Sequence, residues 1–283
     1  MATDGLVIRS LSTAADFRMC ELLQQQVWGM DDLMTVPAHV LITAAKNGGL
    51  VLGAFVGRQM VGFVFGFPGL TSASEAPNAA RQPRLKHCSH MVGVLPEYQG
   101  QGIGYRLKLA QRERVRAQGI DLITWTYDPL EARNAALNFG KLGVTCRTYL
   151  RNIYGELGDE LNRGLPSDRF QVDWEIVSER AQARITGAQR PGRLPAGAQR
   201  LNHPSRRENG LLVPSDQWQL PSAPLVLVRI PSAFQAIKHA DMGLARAWRQ
   251  HTRMIFETAF AAGYMAEEFL RSRSWQGYLL RIT

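Results

Sequence analysis

The sequence predicts an α+β fold, a mixed β-sheet flanked by helices with a β-α-β extension at its C-terminal end, and three observations predict it. Short β-branched and aromatic runs alternate with stretches whose apolar residues recur at helical spacing. Midway through that order, a strand leads through three closely spaced glycines into a helix. Strand and helix patterns then resume after an arginine-rich, apolar-poor stretch over residues 179–210. With 283 residues, 45% of them hydrophobic, the chain can bury a core in one large domain or two small ones.

The elements read in order as follows. Residues 6–11 form a first strand. Over residues 15–28, Phe17, Cys20, Leu23, Val27 and Trp28 recur at helical spacing, with Thr13 as N-cap. Pro37 suits the first turn of a second helix that ends near Asn47-Gly48-Gly49. Residues 50–55 and 60–67 are separated by Gly57-Arg58-Gln59 and read as a hairpin, followed by a surface loop over 71–84. Residues 86–95 are the next strand. The helix over 105–118 has Leu107, Leu109, Ala110 and Val115 on one side, and Arg106, Arg112, Arg114 and Arg116 mostly outside. Strands at 121–127, 144–154 and 170–177 follow, with a short helix over 133–142 closed by Gly143. In the extension, 225–230 is a strand and 242–263 an amphipathic helix. Its Arg246, Arg249 and Arg253 form an exposed stripe, and residues 269–282 close the chain in one or two strands. The predicted organisation is a domain over 1–178, a linker or long mobile excursion over 179–210, and an extension over 211–283 that packs on the first domain.

Composition excludes several classes. No run of about 18 apolar residues reads as a membrane span, and residues 1–5 show no basic and then apolar leader, so a cytoplasmic protein is expected. Cys20, Cys88 and Cys146 are widely spaced, with no CxxC pair, which argues against a disulfide framework or a zinc site. No metal is expected. The net charge of +9 would suit nucleic acid. However, 28 of the 33 basic residues are Arg in an Ala- and Gly-rich chain, and the excess concentrates in 179–210. A polyanionic cofactor accounts for positive charge equally well, so nucleic acid is not the favoured partner. Homodimerisation stays open.

The chemistry lies in Val92-Gly93-Val94-Leu95-Pro96-Glu97-Tyr98-Gln99-Gly100-Gln101-Gly102-Ile103-Gly104-Tyr105. Three glycines in five positions remove side chains where backbone must approach a ligand. They precede a helix whose first amides lack acceptors and whose dipole end is positive, a site for phosphate or pyrophosphate. A P-loop needs Gly-Lys-Ser/Thr, and Gly104 is followed by Tyr105-Arg106. A dinucleotide fingerprint needs GxGxxG, and its ribose-binding acid should follow the second strand, whereas Asp121 precedes it.

This passage resembles the Q/R-x-x-G-x-G/A motif of the GNAT acyltransferase superfamily, matched by Gln99, Gly102 and Gly104. The resemblance covers about the first 60% of the chain and implies a GNAT-type fold with acyl-CoA as co-substrate, acetyl-CoA or succinyl-CoA, and an amine as acceptor. It implies that Val92, Gly93 and Val94 pair with the pantetheine arm. Gln99, Gly100, Gln101, Gly102, Ile103, Gly104 and Tyr105 would form the pyrophosphate turn, the amides of 101–105 holding the pyrophosphate. The strands carrying Val92 and Asp121 would splay to admit the thioester, with an amide near Val94 polarising its carbonyl. Asn134, Phe139 and Lys141 fall in the second family element, where many members have a Tyr at the position of Phe139 to protonate the leaving thiolate. Tyr127 or Tyr149 could replace it, and a thiolate with a pKa of about 8.5 also leaves unaided. The contexts 124–134 and 164–170 further resemble a GNAT branch that has a C-terminal extension and is linked to N-succinylamino acid metabolism. That branch implies succinyl transfer to an amino acid.

Acylation requires a neutral amine and therefore a base. Asp128 and Glu131, just past the strand over 121–127, are candidates, and so is His90. Each also has a structural reading: Asp128 and Glu131 as turn and helix caps, His90 as an ordinary strand residue. Arg133, Arg147 and Arg169 could read a carboxylate on the acyl group or acceptor. The predicted function is acyl transfer from CoA to a small-molecule amine, such as an amino acid, by direct attack in a ternary complex. The alternative is an acyl-CoA sensor without turnover.

Overall fold

The computed structural model describes residues 5–29, 34–71, 83–159 and 161–283. Most of the loop expected over 71–84 lies outside the described residues, as do residues 1–4, on which the expectation of no leader rests. The chain divides into two compact units: Met1–Trp125 with Gly158–Glu160, and Thr126–Leu157 with Leu161–Thr283.

In the first unit, β1 (Leu6–Ser10), β2 (Leu50–Val56), β3 (Gln59–Leu70), β4 (Leu85–Val94) and β5 (Leu122–Tyr127) follow one another across the sheet. The first four pair antiparallel, and β5 joins β4 in parallel. Helix α1 (Ala14–Trp28) starts where the sequence places it, because Thr13 and Asp16 cap it reciprocally. Arg9 grips the Asp16 carboxylate through two bonds of 2.8 and 2.7 Å, which ties β1 to the helix start. Phe17, Cys20 and Leu23 of α1 are buried against Phe55, Phe63 and Val64 of the sheet. Helix α2 (Ala38–Lys46) begins one residue later than expected, with Pro37 extended at the N-cap.

Helix α3 (Ile103–Ala117) presents Leu107 and Val115 to the core as expected, but Arg112 and Lys108 are buried with them. The expectation that Arg112 faces out therefore fails. Its side chain is 6% exposed and its guanidinium bonds Glu113 at 2.6 Å.

The second unit begins with the end of β5. Helix α4 (Ala132–Ala135) runs into a π-helical segment, Ala136–Leu142, ended by Gly143 at φ +75°. Its sheet runs in the order β7 (Arg169–Glu175), β6 (Thr145–Leu150), β12 (Tyr264–Arg271), β13 (Gln276–Ile282), β11 (Leu225–Ile230) and β8 (Gln199–Arg200). Helices α6 (Phe234–Ala240) and α7 (Met242–Ala261) belong to this unit, as does a small ribbon of β9 (Ser205–Arg206) and β10 (Leu212–Val213). Phe170 centres its core, with Phe256 at 4.7 Å and Tyr278 at 5.2 Å between ring centroids.

Residues 179–210 are more ordered than a linker. They hold α5 (Glu179–Ile185), which Ser178 caps, and β8, which pairs in parallel with β11. Composition hid this because the anchor is a charge: Arg184 is buried and ion-paired with Glu268. Among the described residues, no helix is long and apolar enough to cross a membrane.

The α1 cap gives a direct test. Thr13→Ala should cost about 1 kcal/mol, read as a lower urea midpoint with an unchanged m-value.

Candidate functional site

The glycine-rich turn is built as an open amide cradle. Leu95 leads into a 3-10 turn at Pro96–Tyr98, and Gly100 and Gly102 both take φ +79°. A Cβ added at either would meet nothing within 4 Å, so the positive φ and not crowding is what favours glycine there. Gly102 is the N-cap of α3 and no side chain caps that end, while the first helical bond runs from the Arg106 amide to the Gly102 carbonyl at 3.0 Å. Amides of this first turn have no intrahelical acceptor and sit at the positive dipole end. Gln99 ties the turn down by donating to the Val94 carbonyl at 3.2 Å, and Gln101 donates to the Glu97 carbonyl at 3.2 Å. Ile103 is buried and anchors the helix start, Gly104 packs beside Val94, and Tyr105 is half-buried.

The neighbouring strand ends its pairing early. β4 and β5 pair only at His87↔Ile123 and Cys88↔Thr124, yet β4 runs on to Val94. Along Val92, Gly93 and Val94, one edge of β4 bonds β3. Gly93 has to be glycine, because a Cβ there would stand 2.8 Å from the Phe63 ring and 3.0 Å from Trp28. The register slips between Phe65 and Gly66, leaving His90 as the extra residue of a bulge on β4. His90 is exposed, with ring centroids of Phe65 at 5.8 Å and Phe67 at 6.0 Å, and partial desolvation lowers its pKa.

Beneath the last paired residues lies a buried polar cluster that sequence reading missed. Lys108 Nζ donates to Ser89 Oγ at 2.9 Å and Gln111 Oε1 at 3.0 Å, and stands 3.6 Å from the centroid of the Trp125 ring. Gln111 turns its amide nitrogen to His87 Nε2 at 3.2 Å. Burial, with Lys108 nearby, pushes His87 down to about 4, so its ring is neutral near pH 7. The one legible signal was a lysine at 108, beside Leu107 and a turn before Gln111, on a helix otherwise basic through arginine.

In the second unit, Asp128 and Glu131 have different surroundings. Asp128 accepts the Leu130 amide at 2.8 Å and a two-pronged contact from Arg249, whose side chain is 3% exposed. Glu131 is half-buried, bonded by Gln235, and burial raises its pKa. Arg253 grips Asp168 through bonds of 2.7 and 2.8 Å, and Tyr149 and the Asn152 amide donate to the same carboxylate. The basic stripe of α7 is therefore largely internal: Arg249 and Arg253 hold carboxylates, and Arg246 remains outside.

The other predicted residues scatter within this unit. Arg133, Asn134, Lys141 and Arg147 are exposed. Arg147 lines a shallow cleft of about 310 Å³ with Tyr149, Glu257 and Phe260. Arg169 is buried and committed to Asn162 at 2.7 Å and the Asp168 carbonyl at 2.9 Å. Phe139 is fully buried, its ring centroid 5.5 Å from that of Tyr278. Tyr278 donates to the Pro129 carbonyl at 2.7 Å, which leaves Tyr127 as the donor in their 3.0 Å contact. The protons of Tyr127 and Tyr149 are thus both engaged, and burial raises both phenol pKa values.

Residues 19–144 match the model of the family described as the acetyltransferase (GNAT) family. No curated protein matches the chain. Similar solved structures include the ribosomal-protein-S18-alanine N-acetyltransferase of Escherichia coli, 16% identical, covering 62% of this chain and 97% of that one at a TM-score of 0.45. Arabidopsis thaliana NAA60, in complex with acetyl-CoA, is 12% identical over 60% and 99% of the two chains, with a TM-score of 0.46. A GNAT family acetyltransferase from Elizabethkingia anophelis with acetyl-CoA bound is 14% identical over 61% and 99%, with a TM-score of 0.42.

The two carboxylates should separate experimentally. Asp128→Asn strands Arg249 as a buried unpaired charge and should cost about 3 kcal/mol, seen as a lower denaturation midpoint, while Glu131→Gln should leave the midpoint near wild type.

Proposed function

We propose that this chain, whose residues 19–144 match the model of the acetyltransferase (GNAT) family, is a member of that family and moves an acyl group from acyl-CoA to the amine of a small molecule by direct attack. The observation that carries the reading is the uncapped start of α3, reached through Gly100 and Gly102 at positive φ with no side chain of their own to cover the turn. These amides suit a pyrophosphate. The edge of β4 over Val92–Val94, beyond its last pair with β5, offers main-chain groups to the amides of a pantetheine arm. An amide near Val94 is the proposed donor to the thioester oxygen as negative charge develops there.

For the proton, Glu131 is a better base than Asp128. The Asp128 carboxylate is neutralised by Arg249, whereas burial raises Glu131 toward the range where a carboxylate accepts a proton usefully. A small carboxylated acceptor, an amino acid, is the proposed substrate, and succinyl the proposed acyl group. The exposed Arg133 and Arg147 are the guanidinium candidates to read such carboxylates, since Arg169 is already committed.

A second reading is supported by one observation. Phe139 carries no hydroxyl, and Tyr127 and Tyr149 have engaged protons, so none of these three residues offers an acid to the leaving thiolate. A GNAT-fold protein that binds acyl-CoA as a sensor would show this.

Thiol release from acetyl-CoA and succinyl-CoA, measured against D- and L-amino acids and simple amines, decides between them. Amino-acid-dependent release with succinyl-CoA is the expected result. Release with acetyl-CoA alone would remove the succinyl assignment, and tight CoA binding without release would establish the sensor. Glu131→Gln should lower kcat about a hundredfold or more. In the wild type, kcat/KM should fall as pH drops through the raised Glu131 pKa, because the protonated carboxyl accepts no proton.

A further inference from the structure

The ladder between β4 and β5 stops at Cys88 and Thr124, so the next residues on each strand, Ser89 and Trp125, would have been the next pair. They are not paired by backbone. They are joined instead through one side chain, Lys108 of α3, which donates to Ser89 Oγ at 2.9 Å and places its Nζ 3.6 Å from the centroid of the Trp125 ring.

We infer that Lys108 is a positioning residue that holds the two strands apart at the point where the acyl-CoA arm enters, its amine head acting as a wedge between Ser89 and Trp125. The inference rests on the acyl-CoA reading given above. Three features support it. The lysine is buried, at 3% exposure, although a side chain of this type is almost never buried without a specific set of partners. Its partners are directional: Gln111 Oε1 receives both Lys108 and the Ser89 hydroxyl, which sets the position of the Ser89 side chain. The contact with Trp125 places Nζ over the ring face, which fixes where the indole can lie against the strand.

His87 completes the arrangement from the strand side. Its ring lies over Gly66, where a Cβ would stand 2.3 Å from Nε2, so the glycine on β3 is what lets the imidazole reach Gln111. Every residue of the wedge thus comes from β3, β4, α3 or β5 of the first unit. The same helix that presents its N-terminal amides to the pyrophosphate keeps the strands parted one turn further along.

The test uses the full chain, with CoA as the probe in calorimetry and acyl-CoA in kinetics. Lys108→Met fills the same space without the amine. The Ser89 hydroxyl still donates to Gln111 Oε1, so both buried partners keep a hydrogen bond and the melting midpoint should stay near wild type. CoA affinity should nevertheless fall about tenfold, with KM for acyl-CoA rising by the same factor and kcat at saturation changing less. Ser89→Ala and Trp125→Leu, each removing one side of the wedge, should give smaller losses in the same direction. Wild-type affinity in a folded Lys108→Met overturns the inference. So does a joint fall of midpoint and affinity in Lys108→Met while Ser89→Ala and Trp125→Leu stay at wild type, because that pattern marks a packing residue. A wild-type chain that fails to bind CoA would remove the acyl-CoA reading, and this inference with it.

Discussion

The parallel ladder between β4 and β5 ends at Cys88 and Thr124 while β4 runs on for another six residues, with β3 bonded along one edge. A strand in a protein interior seldom leaves main-chain donors and acceptors without partners, since an unpaired buried group forfeits a hydrogen bond. The early end of this ladder therefore places a demand on the rest of the first unit. Something must keep the strands from closing, and something must complete the edge. The bulge at His90 reaims β4, Gly93 lets it lie flat on Phe63 and Trp28, and Gln99 draws the following turn back to the Val94 carbonyl. The open amides of α3 then lie next in the chain after that edge, which is where an extended ligand with an anionic end would need them.

The second unit solves a different problem, the burial of guanidinium groups. Arg184, Arg249 and Arg253 each face a carboxylate, namely Glu268, Asp128 and Asp168. Such pairs add little net stability over an apolar core, because desolvation offsets much of the attraction, but breaking one is costly. They do impose geometry. Asp168 would be raised by burial alone, yet Arg253, Tyr149 and the Asn152 amide hold it below the ordinary carboxylate range. The carboxylate therefore stays ionised and keeps α7 in register with β6 and β7. Arg249 also bonds Asp128, whose carboxylate accepts the Leu130 amide, and that fixes the backbone between β5 and α4 from which Glu131 projects.

This division explains what was legible in the sequence. Elements whose buried faces are apolar could be read almost to the residue: β11 at Leu225–Ile230, α7 from Met242, and α1 with its Thr13 cap. The glycine turn was legible because conformation demands glycine there, as the positive φ of Gly100 and Gly102 shows. Elements anchored by charge were not. Arg112 and Lys108 on α3, Arg249 and Arg253 on α7, and Arg184 on α5 all count as surface residues in any hydropathy pattern. What buries them is a partner from elsewhere in the chain: Ser89 for Lys108, Asp128 for Arg249. One sequence gives no sign of such pairing. The same blindness made Asp128 and Glu131 look equivalent, although Asp128 is ion-paired with Arg249 and Glu131 is bonded by the neutral amide of Gln235.

Phe139 shows how far the chemistry follows from these surroundings. A hydroxyl at that position would be wholly buried against Tyr278, whose own proton is given to the Pro129 carbonyl and whose oxygen takes the proton of Tyr127. Adding a phenol there would mean burying another donor in a network already satisfied, which is unfavourable without a new acceptor. The absent hydroxyl is thus consistent with the local packing and is not in itself a sign of lost function. A thiolate leaving group has a conjugate-acid pKa of about 8.5 and departs near neutral pH without an acid, whereas an ammonium cannot attack until a base has taken its proton. Of the two proton transfers in acyl transfer to an amine, the removal from nitrogen is the one the protein cannot leave to solvent at low cost. That asymmetry is why the burial of Glu131 matters more to the proposed reaction than the missing hydroxyl of Phe139.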